Sequence, residues 1–350
     1  MYKVAVVIPV YNVEQYIVKC AESLFNQTLE DMQFIFVDDA SHDNSIPLLE
    51  QTLERFPKRK PHTIILHHPQ NMGLPTSRAT GLALVDAPYV AHCDSDDYVD
   101  PTMYAKLYDC AVQNDSDMVV CGRYVQRIDG SEYAEFDNPI TNDSYISNFL
   151  YGRLSPYVWS RLTKTAIYRR VQFPVANLLE DWVQVAQLLT YSSRITFLNE
   201  SLYHYGKNPL SISNDMNSEV VIDKMQQSVA NYYLMHDFVV KHHNVKEEDF
   251  ILKKGCIRRR FLLRTKQLNI RRLYLKSFPK PPFSILFHRK LPRHHKLILL
   301  LELLGLYSSV RAAYRFIMKV NGDIRSKQIL LFWSATPAVS LKRPLHEVNV

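Results

Sequence analysis

At 350 residues, with 47% apolar and 22% charged side chains and only nine glycines, the chain reads as a globular protein with a real core, not a repeat, collagen or linker protein. Charge is split: the last hundred residues carry 22 Lys or Arg against three acids (Glu302, Asp323, Glu347), whereas the first 250 carry 20 against 32. The acidic front is a poor nucleic-acid surface, and the basic tail suits anionic lipid, RNA or an acidic partner.

Val4–Val10 is a β-branched apolar run, too short for a signal peptide, and predicts a strand buried on both faces. Asn12 stands where it can cap a helix that carries Tyr16, Ile17, Cys20 and Leu24 at helical spacing. Phe34–Val37 predicts a second strand ending at Asp38-Asp39. Ile46–Phe56 predicts a helix with Pro47 in its first turn. Thr63–Leu66 reads as a third strand, Thr76–Val85 as a helix, and Tyr89–Cys93 as a fourth strand running into Asp94-Ser95-Asp96-Asp97. Tyr104–Ala111 predicts a helix and Asp117–Cys121 a strand. This alternation over about 120 residues implies an α/β fold: a mostly parallel central sheet with helices on both faces. Such sheets bind ligands at the carboxyl ends of their strands, where Tyr11-Asn12, Asp38-Asp39 and Asp94–Asp96 all fall.

Past residue 125 the pattern loosens. Leu178–Tyr191 reads as an amphipathic helix opening with Glu180-Asp181-Trp182, and Glu219–Lys241 as a long helix. Residues 251–278 are basic and helical, up to a break at Pro279-Lys280-Pro281-Pro282. Two 14-residue stretches, between Lys296 and Arg311 and between Lys327 and Lys342, fall short of the roughly 20 apolar residues that span a bilayer. Their basic flanks and Leu-rich faces suit helices lying in a membrane interface.

Three carboxylates within four residues repel one another, so Asp94-Ser95-Asp96-Asp97 is costly without a cation. Magnesium and manganese suit such oxygens and share them with substrate phosphates. Taken alone, the segment reads equally as a turn before a helix, since Asp and Pro101 favour turns. Asp38-Asp39-Ala40-Ser41 offers a carboxylate to a base N–H or ribose hydroxyl, or simply a strand-to-helix turn. No GxGxxG and no GxxxxGK[ST] is present, so phosphates fall to metal and side chains. Glu180 and Asp181 are adjacent like charges beside Trp182, which can raise a carboxyl pKa toward that of a base; acids are also favoured in any first helical turn. His67-His68 reads as loop, Trp159 as core, Cys93 as a buried strand residue. Five cysteines without a CxxC pair suit a reducing cytoplasm.

The ordered set resembles the family 2 glycosyltransferases of the GT-A fold. It comprises Val7-Ile8-Pro9-Val10-Tyr11-Asn12, Ser23-Leu24-Phe25-Asn26-Gln27-Thr28, Val37-Asp38-Asp39-Ala40-Ser41, Asn71-Met72-Gly73-Leu74, Ser77-Arg78, Asp94-Ser95-Asp96-Asp97, Tyr157-Val158-Trp159-Ser160-Arg161-Leu162 and Glu180-Asp181. Each motif is weak alone; their order and spacing over roughly residues 3–210 are specific. The resemblance implies an inverting, metal-dependent transfer of one sugar from a nucleotide-sugar donor, UDP-sugar favoured, to a hydroxyl of a glycan or lipid-linked acceptor in bacterial cell-surface polysaccharide synthesis. It implies that Pro9, Val10, Tyr11, Asp38 and Asp39 hold the base and ribose, and that Arg78 lies near the base or diphosphate. Asp96 with Asp94 would hold manganese or magnesium, with Asp94 and Ser95 touching the donor. Asp181 matches the catalytic base and Glu180 its neighbour, while His204 and Lys207 would reach the diphosphate.

A GT-A domain is expected over 1–215, its donor half about 1–125 and its acceptor half about 126–215, followed by a basic helical region over 216–350. Peripheral contact of that region with an anionic membrane, a cytoplasmic place at the inner face of the cell membrane, and no nucleic-acid partner complete the expectation. Three positions depart from the family pattern. Ala40 replaces the glycine of DDGS, Ala79 the Asn after the motif's Arg, and no QxxRW follows Asp181, which favours single-sugar transfer over polymer synthesis. The alternatives are a nucleotidyltransferase, against which Pro9–Asn12 speaks, and a degenerate nucleotide-sugar-binding scaffold, against which Asp96 and Asp181 speak.

Overall fold

A computed structural model describes residues 1–126, 131–137, 139, 143–206, 208, 218–255, 257, 286–287, 300 and 304. Lys207 and, but for isolated positions, the chain beyond residue 257 with its two Leu-rich stretches lie outside the described residues. The elements follow in the order β1 (Val4–Val10), α1 (Ile17–Phe25), β2 (Met32–Asp38), α2 (Ser45–Glu54), β3 (Thr63–His67), α3 (Leu74–Ala83), β4 (Tyr89–His92), β5 (Tyr98–Val99) and α4 (Met103–Gln113). Then come β6 (Met118–Gln126), β7 (Glu132–Glu135), α5 (Tyr145–Leu150), β8 (Arg161–Lys164), α6 (Thr165–Tyr168), α7 (Glu180–Tyr191), β9 (Ile195–Tyr205) and α8 (Ser218–His242).

Among the described residues the strands form one nine-stranded sheet, ordered β3-β2-β1-β4-β8-β6-β9-β5, with β7 on β6. The first four strands are parallel, as the alternation predicts. The second half is mixed. β8 lies antiparallel between β4 and β6, so β6 keeps the direction of β4 but stands one strand away. β9 is parallel to β6, whereas β5 and β7 are antiparallel to their neighbours.

Alternation along β1 and β2 feeds two cores, because successive side chains of a strand point to opposite faces. Val4, Val6, Ile8, Phe34 and Phe36 pack with α1, α2 and α4 on one face. Ala5, Val7, Ile35 and Val37 join the core of α7 and α8 on the other. Met225, Tyr232, Met235 and Val239 of α8 belong to that second core, so packing continues across the expected boundary at 215/216. Gly81 brings α3 close to the sheet: a Cβ there would stand 2.4 Å from Cγ1 of Val7.

Asn12 does not cap α1. It takes a left-handed φ of 51°, its Oδ1 accepts the N–H of His42 at 2.9 Å, and the helix starts only at Ile17. The tertiary bond to the loop before α2 displaces the local cap. Trp159 is core, 2% exposed, with its ring stacked 4.1 Å from that of Tyr203.

Candidate active site

The carboxyl ends of β2, β1 and β4 lie side by side, with Asp38 paired to Val10 and His92 to Val7. Pro9 and Val10 are buried in β1, and Tyr11 just beyond them is exposed. After β4 the chain turns sharply, with the N–H of Asp97 bonded to the carbonyl of Asp94 at 3.1 Å. Ser95 is buried within that turn, while Asp96 at its apex is half-buried and accepts from Asn208 at 2.9 Å. Asp97 points inward, where the Tyr203 hydroxyl and the Gly206 N–H each donate to it at 2.7 Å. Burial, then the charges of Asp96 and Asp94, push its pKa well up.

Arg78 joins this turn to α7. It sits on the buried face of α3, 1% exposed. One terminal nitrogen donates to Asp94 at 2.6 Å, and the other donates to Asp181 at 2.9 Å and to Glu180. Both terminal nitrogens are turned to carboxylates inside the protein. The residue is a buried hub of charge.

The two acids of α7 diverge. The Glu180 side chain is 3% exposed and that of Asp181 22%. Glu180 also accepts from Gln184, whose Oε1 takes the Tyr168 hydroxyl at 2.7 Å. Glu180 thus serves the interior and fixes Arg78, whereas Asp181 keeps a face open. Burial raises Asp181 above the usual aspartate range, against the pull of Arg78 and Arg161. Burial likewise takes Asp94 to about 6, with Arg78 opposing and Asp96 and Asp181 adding to the rise. Leu179, immediately before this pair, is left-handed at φ 64°. That conformation costs an L-residue about 1–2 kcal/mol, and such strain gathers at functional sites.

Asp39 is enclosed by its own chain. It is 3% exposed and accepts from the N–H of Met72 at 2.7 Å, the N–H of Gly73 at 2.8 Å and the His68 ring at 2.8 Å. It builds the loop that enters α3, in which Gly73 has φ 88° and abuts Asn177. Asp38 accepts from the Ser41 N–H at 2.9 Å and pairs with His67 at 3.0 Å. Between them Ala40 holds the left-handed turn at φ 59° that glycine takes freely. His204 meets a different carboxylate. Strand alternation sends Tyr203 to Asp97, and His204 stacks 4.3 Å from the ring of Tyr98 and bonds Glu132 at 3.0 Å.

The His67-His68 pair, read as loop in the sequence, thus belongs to the site's support. Its signal was position: it ends the strand beside Asp38-Asp39. Gln184, four residues after Glu180 on the same helical face, carried a similar signal.

The family profile of glycosyl transferase family 2 matches residues 5–173. The uncharacterized glycosyltransferase EpsJ of Bacillus subtilis is 32% identical over 222 residues, covering 60% of this chain and 62% of that relative, so the match spans under two thirds of the relative's length. Among solved structures, S. aureus TarS 1–349 in complex with UDP-GlcNAc superposes with a TM-score of 0.60 at 17% identity, covering 89% of this chain and 91% of that one. The mannosyltransferase PcManGT from Pyrobaculum calidifontis, in complex with GDP-Man and Mn2+, superposes with a TM-score of 0.53 at 13% identity, covering 92% and 87%. At such identities the structural likeness is one of fold. The sequence match and the GT-A-like α/β fold agree: over residues 5–173, this chain is similar to glycosyl transferase family 2.

Proposed function

We propose that this protein moves one sugar, with inversion, from a nucleotide-sugar donor, UDP-sugar favoured, to a hydroxyl of a glycan or lipid-linked acceptor. The observation that carries this reading is the buried Arg78, which joins Asp94 of the turn to Asp181 of α7. The turn faces the donor and α7 the acceptor. Asp181 accepts the proton of the acceptor hydroxyl as its oxygen bonds the anomeric carbon and the bond to the diphosphate breaks. A pKa raised by burial, against the pull of Arg78, makes it a better base.

Asp96 and Asp94 fit a divalent cation, manganese or magnesium. Asp96 stands half-open at the apex of the turn, and Arg78 is the partner for three carboxylates already. Among the described residues no three His, Cys, Asp or Glu side chains are grouped to hold a metal alone. A site of one or two carboxylates completed by diphosphate and water oxygens is ordinary for these ions. When bound, the cation neutralises charge on the leaving diphosphate. The Mn2+ in the PcManGT complex and the nucleotide sugars held by both structural neighbours support this reading. The exposed Tyr11 and the loop built on Asp39 border the space for the base.

A thermal-shift screen of UDP-, GDP- and dTDP-sugars with MnCl2 or MgCl2 tests the proposal, because a ligand of the native state raises Tm by mass action. A UDP-sugar with MnCl2 is expected to give the largest rise. Asp96→Ala is expected to lose that rise and to hydrolyse the selected donor roughly a hundredfold more slowly. Equal shifts and equal hydrolysis in the variant would remove the metal assignment.

Among the described residues no helix is long and apolar enough to cross a membrane. The excess of Lys and Arg in the last hundred residues supports peripheral contact with an anionic membrane at its cytoplasmic face. The protein is expected to pellet with phosphatidylglycerol vesicles at low salt and to be released at high salt, since screening weakens such contacts. A protein that stays in the supernatant at low salt contradicts this part of the reading.

A further inference from the structure

Two amide side chains of α8 grip the loop that leads into Asp181. Oε1 of Gln227 accepts from the backbone N–H of Asn177 at 3.1 Å and of Leu178 at 3.3 Å. One turn later, Nδ2 of the fully buried Asn231 donates to the carbonyls of Ala176 at 2.7 Å and Leu178 at 2.9 Å. Positions four apart share one helical face, so both amides meet the same short segment. The orientation of Gln227 is fixed as well, because its Nε2 donates to Asp223 at 2.6 Å.

The segment so held touches both sides of the site. Oδ1 of Asn177 accepts the N–H of Leu74, the first residue of α3, at 2.9 Å. Arg78 stands four residues along that helix. Leu179, left-handed, opens α7 with Glu180 and Asp181. Where an irregular loop leaves N–H and C=O groups without partners of its own, its path is set by whatever does pair them. Here that partner is α8, and the path it sets fixes the start of the helix bearing the guanidinium and of the helix bearing its carboxylates.

We propose that Gln227 and Asn231 are positioning residues that set Asp181 against Arg78 and Asp94. The proposal rests on Asp181 being the base, and its test separates the two claims. The screen above supplies the donor and cation. Gln227→Leu is expected to keep the far-UV circular dichroism and the donor-induced thermal shift of the wild type. It is expected to lose roughly tenfold to a hundredfold in kcat with KM within about twofold, as displacement of a reacting group does. The double variant Asp223→Asn, Gln227→Glu returns an acceptor oxygen to the loop without pairing two carboxylates, and is expected to restore kcat to within about twofold of the wild type. Asn231→Asp keeps the shape but turns a carboxylate toward two carbonyls, and is expected to lower kcat at least as far as Gln227→Leu.

Amide hydrogen exchange at Asn177 and Leu178 needs no turnover. It is expected to speed up in Gln227→Leu and to return to the wild-type rate in the double variant. Unchanged exchange in Gln227→Leu overturns the clamp itself. Faster exchange with wild-type kcat, or a double variant as slow as Gln227→Leu, overturns its role in positioning. Parallel loss of kcat, donor binding and Tm also overturns it, as general loosening. A wild type that exchanges slowly at both amides but turns over no donor defeats the assignment of Asp181, and this role with it.

Discussion

Asp181→Asn is expected to lower sugar transfer by roughly 10²- to 10⁴-fold while leaving the donor-induced thermal shift in place. The substitution keeps the shape and the contact to Arg78 but removes the group that takes the proton. Asp181 is the acid of α7 with an open face, whereas Glu180 is enclosed by Arg78 and Gln184. The pH profile gives a second check. A base acts only when deprotonated, so activity rises with pH through its pKa. Burial holds that pKa above the usual aspartate range, so the acid limb of kcat/KM in the wild type is expected above that range too. The residual activity of Asp181→Asn is expected to lack this limb. A variant that retains both the rate and the limb would leave Asp181 without a catalytic role.

The largest effect on stability is expected from Arg78→Met. Removing one partner of a buried ion cluster costs about 3–5 kcal/mol, because the other charges stay behind without compensation. Three carboxylates lose their shared cation here, and the Glu180 side chain is only 3% exposed. A fall in Tm on the order of 10 °C follows from that cost. Arg78→Lys is expected to recover little, since a single ammonium cannot reproduce a two-pronged guanidinium among three acids. The pH dependence has a definite sign. Without the guanidinium, the buried carboxyls have folded-state pKa values raised above those of the unfolded chain. The folded state then binds more protons, and stability falls as pH rises. The deficit in Tm is therefore expected to shrink from pH 7.5 to pH 5, as thermal melts at the two pH values would show. A deficit that grew on acidification would mean that Arg78 is not what holds these acids ionised.

Much of the first half of the fold was legible because its signals are local. The β-branched runs of β1 and β2 and the Asp-rich strand ends declare themselves within a few residues. The antiparallel insertion of β8 does not. Arg161–Lys164 is four residues long, and nothing in it says which gap in the sheet it will fill. Asp94, Asp96 and Asp181 were legible as motif residues, but the sequence did not show which way their neighbours point. The resemblance put Arg78 near the base or diphosphate, but its burial was not legible, because it depends on Glu180, about a hundred residues away, being turned inward. The enclosure of Asp39 was not legible either, since its partners Met72, Gly73 and His68 all lie in a later loop. Asn12 failed as a cap because the loop before α2 competes for the same oxygen. The apolar spacing of α8 gave its length. Gln227 and Asn231, as amides on an amphipathic helix, look like solvent-facing polarity until the loop they grip is in place.

The reach of Arg78 also constrains the order in which the polypeptide can mature on the ribosome. Its partner Glu180 is 102 residues further along the chain, and at about 5–20 residues per second it emerges on the order of ten seconds later. Until then a guanidinium destined for the interior has only Asp94 to meet it, and a half-compensated charge resists dehydration. Docking of α3 on β1 is therefore expected to finish late in synthesis. Closure of that seam is expected to coincide with delivery of the acidic pair at the head of α7.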